Sequence, residues 1–359
     1  MRFFLFLFLA FFMNGIAVLA QTPSIQDLNS QALASKNNDE DLKARTLYGQ
    51  ACDAGDENAC WHAAQIYVKG EDYKKHKKIS QAYHKKACDG GIPEGCHNYA
   101  ISLIERFSDT FDPVLARSYL SKGCDSDVPK SCLLYGHMLK DGLGGGTDFG
   151  LARHSYRKAC DTQRAFKACT LYSEMLAKGE GGEVDYKKAR KVSKKTCTEG
   201  YLEDACYQYA TYLEKGLGGK ENIAEAIKLY SMSCDNVFAK SCFAYGQLLS
   251  AGKGVVLDMK QARMLFEKAC EYRVGDEGAD GCNRVGFMQR NGIGGSIDLY
   301  QARNSLSLAC DSKIADACLQ YAEMVANGQG GEPDEYLAAD GFRKACDLGL
   351  SEACSRVKQ

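Results

Sequence analysis

Apolar positions recur along this chain in a phase that repeats about every 36 residues, and paired cysteines mark its origin. Eight residues before the first cysteine of each pair stands a small side chain: Ala44, Ser80, Ala116, Ala152, Ala189, Ala226, Ala262, Ala302 and Ala338. Four residues before it stands a bulky one in most repeats, as in Tyr48, Leu120, Tyr156, Tyr230, Phe266, Leu306 and Phe342. Spacings of four and eight that end in the cysteine describe one face of a helix. Twelve residues before the cysteine an acid or amide recurs as a helix N-cap: Glu40, Asp112, Asp148, Asp185, Asn222, Asp258, Asp298 and Asp334, with His76 as the exception. Oxygens there accept from the free N–H groups of the first turn.

A second helix pattern follows the second cysteine. Offset +3 carries Tyr99, Tyr135, Tyr172, Tyr209, Tyr245, Val285 or Tyr321, offset +4 a small residue such as Ala64, Gly136, Ser173 or Gly246, and offset +7 usually leucine. These offsets form an apolar stripe, so the tyrosines are packing residues. Gly-x-Gly-Gly runs at 142–145, 179–182, 216–219, 292–295 and 328–331 then separate the two helices. Because such a run links helix to helix here, it is a C-cap and wide turn and not a phosphate cradle. Each repeat is therefore a helix hairpin, and the chain is expected to be an all-α solenoid.

The cysteines fall into nine pairs: Cys52 with Cys60, Cys88 with Cys96, Cys124 with Cys132, Cys160 with Cys169, Cys197 with Cys206, Cys234 with Cys242, Cys270 with Cys282, Cys310 with Cys318 and Cys346 with Cys354. No C-x-x-C occurs, which argues against a zinc site. Neighbour pairing is favoured because the same short loop recurs, although spacing alone leaves connectivity open. The opening residues 1–20 read as a cleaved signal peptide, with Arg2 ahead of an apolar run. Export to the periplasm or exterior is expected, where disulfides persist. Residues 21–39 lack the pattern and read as a mobile lead-in or loose cap; 40–359 hold nine repeats and a short capping helix.

A formal net charge of -1 with 25% charged residues leaves no electrostatic footprint for nucleic acid. Lysine-rich stretches at 74–78 and 187–195 read as solvated helix faces, with His76 and His84 on exposed surface. The six histidines never stand two to four apart, so no metal is expected, and no cofactor. Ser-x-x-Lys occurs at Ser155/Lys158, Ser250/Lys253 and Ser355/Lys358, without the Ser-Asp-Asn or Lys-Thr-Gly of serine β-lactamases. Variable positions on the first helix suit a recognition groove: offset +5 gives Gln65, Ile101, His137, Glu174, Thr211, Gln247, Phe287 and Glu323, and offset +1 includes Trp61, Tyr207 and Phe243.

The Ala-x3-Tyr/Phe core, the Gly-x-Gly-Gly loop and the Lys-Ala-Cys-Asp end, as in Lys86 to Gly91 and Lys344 to Gly349, resemble the Sel1-like repeat, a relative of the tetratricopeptide repeat. With a leader and paired cysteines throughout, the chain is similar to secreted Helicobacter cysteine-rich proteins. The resemblance implies a right-handed α/α superhelix, one disulfide per repeat, and a monomeric scaffold for protein or peptide partners of host or peptidoglycan origin, with no membrane span after cleavage. It also implies an alternative, a weak β-lactamase, whose catalytic residues no motif identifies. Two departures stand out: the block around His76 lacks the acidic cap and glycine loop, and the pair Cys270 and Cys282 encloses the insertion Glu271 to Gly281.

Overall fold

The computed structural model describes residues 23–67, 73–105, 110–162, 165–272 and 276–357, so the expected signal peptide lies outside the described residues. All regular structure among them is helical, in hairpins of a first and a second helix. Two compact units divide the chain, one up to Gly123 and one from Cys124. The first unit holds α1 (Ile25–Asn37), α2 (Asp41–Asp53), α3 (Glu57–Tyr67), α4 (Tyr73–Asp89), α5 (Pro93–Ile104) and most of α6 (Pro113–Asp125). The second holds α7 (Pro129–Asp141), α8 (Phe149–Asp161), α9 (Phe166–Lys178), α10 (Tyr186–Gly200), α11 (Glu203–Glu214), α12 (Ile223–Asp235), α13 (Ala239–Ala251), α14 (Met259–Tyr272), α15 (Asp276–Asn291), α16 (Leu299–Asp311), α17 (Ala315–Ala326), α18 (Glu335–Asp347) and the short α19 (Ser351–Cys354).

The repeat frame works as a knob and a hole twenty residues apart. The bulky residue four before a cysteine, on the second helix, lies against the small residue at +4 on the first. A Cβ added to Gly136 would stand 2.5 Å from the Tyr156 ring, one on Gly246 2.8 Å from Phe266, and one on Gly286 2.7 Å from Leu306. The small residues eight before the cysteine are buried in every repeat, eight of them alanine and the ninth Ser80. Close-packed helix contacts of this kind lose several kcal/mol when a large knob is removed.

All nine cysteine pairs close between neighbours, each with Cα atoms 4.4–4.7 Å apart, and no free cysteine remains. Cys52 bonds Cys60, Cys88 bonds Cys96 and Cys124 bonds Cys132. Cys160 bonds Cys169, Cys197 bonds Cys206 and Cys234 bonds Cys242. Cys270 bonds Cys282, Cys310 bonds Cys318 and Cys346 bonds Cys354. Each bridge ties the second helix of one hairpin to the first helix of the next. Nine disulfides place the folded chain in an oxidising, extracytoplasmic compartment. No described helix is long and apolar enough to cross a membrane.

Two further devices join consecutive hairpins. The lysine two residues before the cysteine reaches back to the aspartate that follows the previous repeat's cysteine: Lys86 to Asp53 at 2.7 Å, Lys268 to Asp235 at 3.5 Å and Lys344 to Asp311 at 3.4 Å. Lys158 makes the related contacts, to the Asp125 carbonyl and to the Asp127 carboxylate. The arginine one residue after the buried alanine donates to a carbonyl in the following glycine loop. Arg153 reaches Glu183, Arg190 Lys220, Arg263 Ser296 and Arg303 Glu332, at 2.9–3.0 Å.

The Gly-x-Gly-Gly loop follows from that contact. Its first glycine, as in Gly179 at φ 70°, closes the helix in the left-handed region. A Cβ on the second would strike the preceding second helix, 2.1 Å from the Phe149 carbonyl oxygen at Gly181 and 2.2 Å from that of Met259 at Gly294. A Cβ on the third would meet the arginine, 2.9 Å from Arg263 Nη1 at Gly295. Where Ile227 takes the arginine's place on α12, Val255 stands where the third glycine of the loop would be. The two positions change together inside one chain because they fill one volume.

Several expectations require correction. Residues 25–37 are a helix, α1, capped by Ser24 and packed on α2 through buried Leu28 and Ala32. It occupies the place of a first helix without its cysteine. Glu40 starts α2 without a side-chain capping bond, whereas the aspartates and Asn222 cap through their shorter side chains. His76 is no cap because α4 begins three residues earlier, at Tyr73. His84 is 3% exposed, and His76 is partly buried against the Tyr67 ring at 5.4 Å. The repeat phase puts His84 four before Cys88, in the column of buried knobs, and that phase overrides its lysine-rich neighbours. The insertion between Cys270 and Cys282 adds a turn to the start of α15, so Cys282 is its seventh residue where Cys318 is the fourth of α17.

Candidate binding surface

The first helices of the second unit carry the candidate surface, because their +3, +4 and +7 positions are spent on packing. What remains to line a surface is the set of positions at −2, +2 and +5 relative to the second cysteine, with the +1 position, buried at Thr170 and Phe243, beneath them. Two cavities open along these positions in the same register, two repeats apart. One, of about 490 Å³, is bounded by Lys167, Thr170, Leu171 and Glu174 of α9, by Leu202, Asp204, Tyr207 and Gln208 from the start of α11 onward, and by Lys240 of α13. The other, of about 460 Å³, lies among Phe243 and Gln247 of α13, Asp280, Asn283, Arg284 and Phe287 of α15, and Asp316 and Gln320 of α17.

The disulfides stand behind this surface and do not line either cavity. Cys60, Cys96, Cys132 and Cys206 are each buried where one hairpin joins the next, so they hold first helices in place and present nothing to a ligand. Cys160 and Cys169 border a separate recess of about 520 Å³ with Phe166 and Val192, and Cys270 borders another beside Glu267 and Gln301. Their role is structural throughout.

Of the expected groove residues, Glu174, Tyr207, Phe243, Gln247 and Phe287 border the two cavities. Gln247 and Phe287 are exposed; Phe243 is buried and packs on Phe266 with ring centroids 5.5 Å apart. Tyr207 is held by the Tyr230 and Phe238 rings at 5.8 and 5.9 Å, and burial pushes its phenol pKa up. Glu174 accepts from Lys178 at 2.5 Å.

The others serve different ends. The Thr211 hydroxyl bonds Tyr230, whose own hydroxyl donates to Glu214 at 3.0 Å. His137 meets the Tyr156 hydroxyl through Nδ1 at 3.1 Å, and burial lowers its pKa. Glu323 pairs with Arg290 at 3.4 Å. In the first unit, Trp61 is half-buried with its ring 5.5 Å from that of His84; Gln65 is half-buried, and Ile101 is 37% exposed.

Sequence inspection passed over the −2 column, Lys167, Asp204, Lys240, Asp280 and Asp316, because these charges stand near helix starts, all but Asp280 in the first turn, and look like helix-start residues. Their variation in sign beside an invariant cysteine was the available signal.

The two Ser-x-x-Lys matches that lie wholly among the described residues do not form nucleophile–base pairs. Ser155 is buried and donates to the Leu151 carbonyl, while Lys158 is bound to the preceding hairpin. Ser250 donates to the Gln247 carbonyl, and Lys253 pairs with Glu214 at 3.4 Å. Lys358 lies outside the described residues. No group of histidine, cysteine and carboxylate side chains that could hold a metal occurs among the described residues.

A family model for the Sel1 repeat matches residues 35–56, 58–92, 129–161, 166–200, 203–237, 239–271, 279–312 and 315–350. The helix pair between residues 93 and 128 falls outside these matches. A Sel1 repeat protein from Oxalobacter formigenes has a similar fold, with a TM-score of 0.73 at 19% identity over 94% of each chain. Helicobacter pylori cysteine rich protein B matches at 28% identity over 37% of this chain and 92% of its own, with a TM-score of 0.29. Cytochrome c oxidase assembly factor 7 of Mus musculus is 35% identical over 82 residues, 22% of this chain. The chain spans only 35% of the length of that curated relative.

Proposed function

We propose, from the premise that this chain belongs to the Sel1 repeat family, whose members mediate protein interactions, that it is an extracytoplasmic scaffold binding extended peptide segments along the first helices of its second unit. The observation that carries the proposal is the pair of cavities in one register, each with aromatic, amide and charged side chains drawn from three successive first helices. A repeated register suits a ligand that itself repeats, as an extended backbone does. The disulfides support a place in the periplasm or outside the cell, where such a segment comes from a host surface protein or a cell-wall peptide. Locally cross-linked hairpins present the groove already formed, which reduces the ordering cost of binding. The monomer supplies the whole surface.

Selection of a displayed peptide library on the oxidised protein tests this reading. Tyr207→Ala and Phe287→Ala should each weaken the selected peptides by about tenfold or more, as truncation of an aromatic anchor does. Lys191→Ala on α10 should change little. Failure to enrich any peptide, or equal loss with Lys191→Ala, would sink it.

A further inference from the structure

We propose that the cavity among α13, α15 and α17 is a subsite for a cationic side chain, arginine above all, of an extended peptide that carries an apolar residue beside it. The proposal rests on the peptide-binding reading and adds to it the chemistry of one position.

The cavity is rich in acceptors. Asp280 and Asp316 stand in the same register of consecutive first helices, each two residues before its cysteine. Among the described residues no cation forms an ion pair with either; Asp316 accepts only from the Gln320 amide, at 2.7 Å. Partial desolvation first, and then the neighbouring Glu277 and Asp276 against Arg284, push the Asp280 carboxyl pKa up. The Asn283 carboxamide oxygen is buried without a hydrogen-bond partner. That atom can only accept, so what satisfies it must bring a hydrogen-bond donor, N–H or O–H. A guanidinium carries five donors in a planar fork and matches carboxylates in pairs.

The aromatic wall fits the same ligand. Phe287 remains 46% exposed and borders the cavity, so an aromatic ring is open there to a cation. Phe287, Gln247 and Arg284 also border an adjoining cavity of about 410 Å³, whose other walls include Phe266, Met288 and Ile293. A peptide that seats a cation on the acidic side therefore sets its neighbour against an apolar one.

The upstream cavity sharpens the assignment. Its charged walls are Lys167 and Lys240 against Asp204 and Glu174, whereas the downstream cavity sets Asp280 and Asp316 against Arg284 alone, so a basic side chain gains less upstream.

Three labelled hexapeptide pools, each random except for a central Arg-Leu, citrulline-Leu or Glu-Leu, can be titrated against the full oxidised protein by fluorescence anisotropy. Citrulline keeps the shape of arginine and removes its charge. The arginine pool should bind about tenfold tighter than the citrulline pool, with the advantage shrinking as salt rises. Asp280→Asn combined with Asp316→Asn should erase that advantage, bringing the arginine pool down to the citrulline pool; both acids are exposed, so the fold should persist, as circular dichroism would verify. Phe287→Ala should weaken the arginine and citrulline pools together. Equal binding of all three pools, still lost on Tyr207→Ala, would overturn the subsite and leave the scaffold standing. Binding of no pool would overturn both.

Discussion

The hairpins α3–α4 and α13–α14 fill one repeat frame with opposite chemistry. In α13–α14 the knob is Phe266, pressed into the gap left by Gly246, and the hairpin reaches its successor through Arg263 and the Gly292–Gly295 loop. In α3–α4 the knob is His84, set beside Ala64 in the sequence frame and the Trp61 ring in space. Its Nδ1 has no partner, and burial pulls its pKa down to about 4. A frame set by small and large volumes accepts an imidazole where it normally takes a phenyl ring. The substitution leaves volume in place and makes stability depend on protons.

Four experiments press on this contrast. The largest effect should come from Phe266→Ala, which empties a buried site and should cost about 3–5 kcal/mol in urea unfolding. A loss below about 1 kcal/mol would mean that Gly246 and Phe266 do not form the lock described.

Next comes acid. An ordinary histidine titrates near 6.5 when unfolded, and His84 near 4 when folded, so the unfolded chain binds more protons between those values. Stability is complete above about pH 6.5 and falls as pH drops toward 4, by up to about 3 kcal/mol. His84→Leu, which copies Leu120 from the same column, should flatten that part of the pH profile of unfolding. An unchanged slope would remove His84 as its source.

Bridges come third. Deleting Cys234–Cys242, whose sulfurs lie in a fully buried setting, should cost about 2.5 kcal/mol in the chain-entropy model. Cys354 is exposed, so limited reductant followed by alkylation and mass mapping should label Cys346 and Cys354 first and Cys234 and Cys242 last. Simultaneous labelling would show that exposure does not set the order.

The smallest effects separate the two surface links. Arg263→Ala removes a bond to a loop carbonyl together with the Glu267 contact at 3.3 Å and should cost about 1 kcal/mol. Lys268→Ala breaks an exposed ion pair and should cost less than about 0.5 kcal/mol. A reversal of that order would contradict the role given to the glycine loop.

Much of this was visible in the chain. Repetition multiplied weak signals: nine aligned copies made the alanine column, the caps and the cysteine pairs plain where one copy would have been ambiguous. His84 was misplaced because its lysine-rich surroundings were weighed above its phase. The α1 helix was missed because it carries the stripe without the cysteine that marks it elsewhere. Of the candidate surface, Tyr207 and Phe287 were found as variable outward positions, while Asp280 and Asp316 were hidden among ordinary helix starts.

By itself the sequence determined which faces of which helices must be buried, since periodicity is local and each repeat restates it. It also determined which cysteines are close enough along the chain to meet. Only the tertiary structure decided that Arg263 needs Gly295 to be bare, that Ser173 and Ser193 replace a knob with a 2.6 Å hydroxyl contact, and that carboxylates 36 residues apart share one cavity. Those facts depend on how one hairpin stacks on the next, and stacking is set by the sum of many small contacts between residues that no local pattern connects.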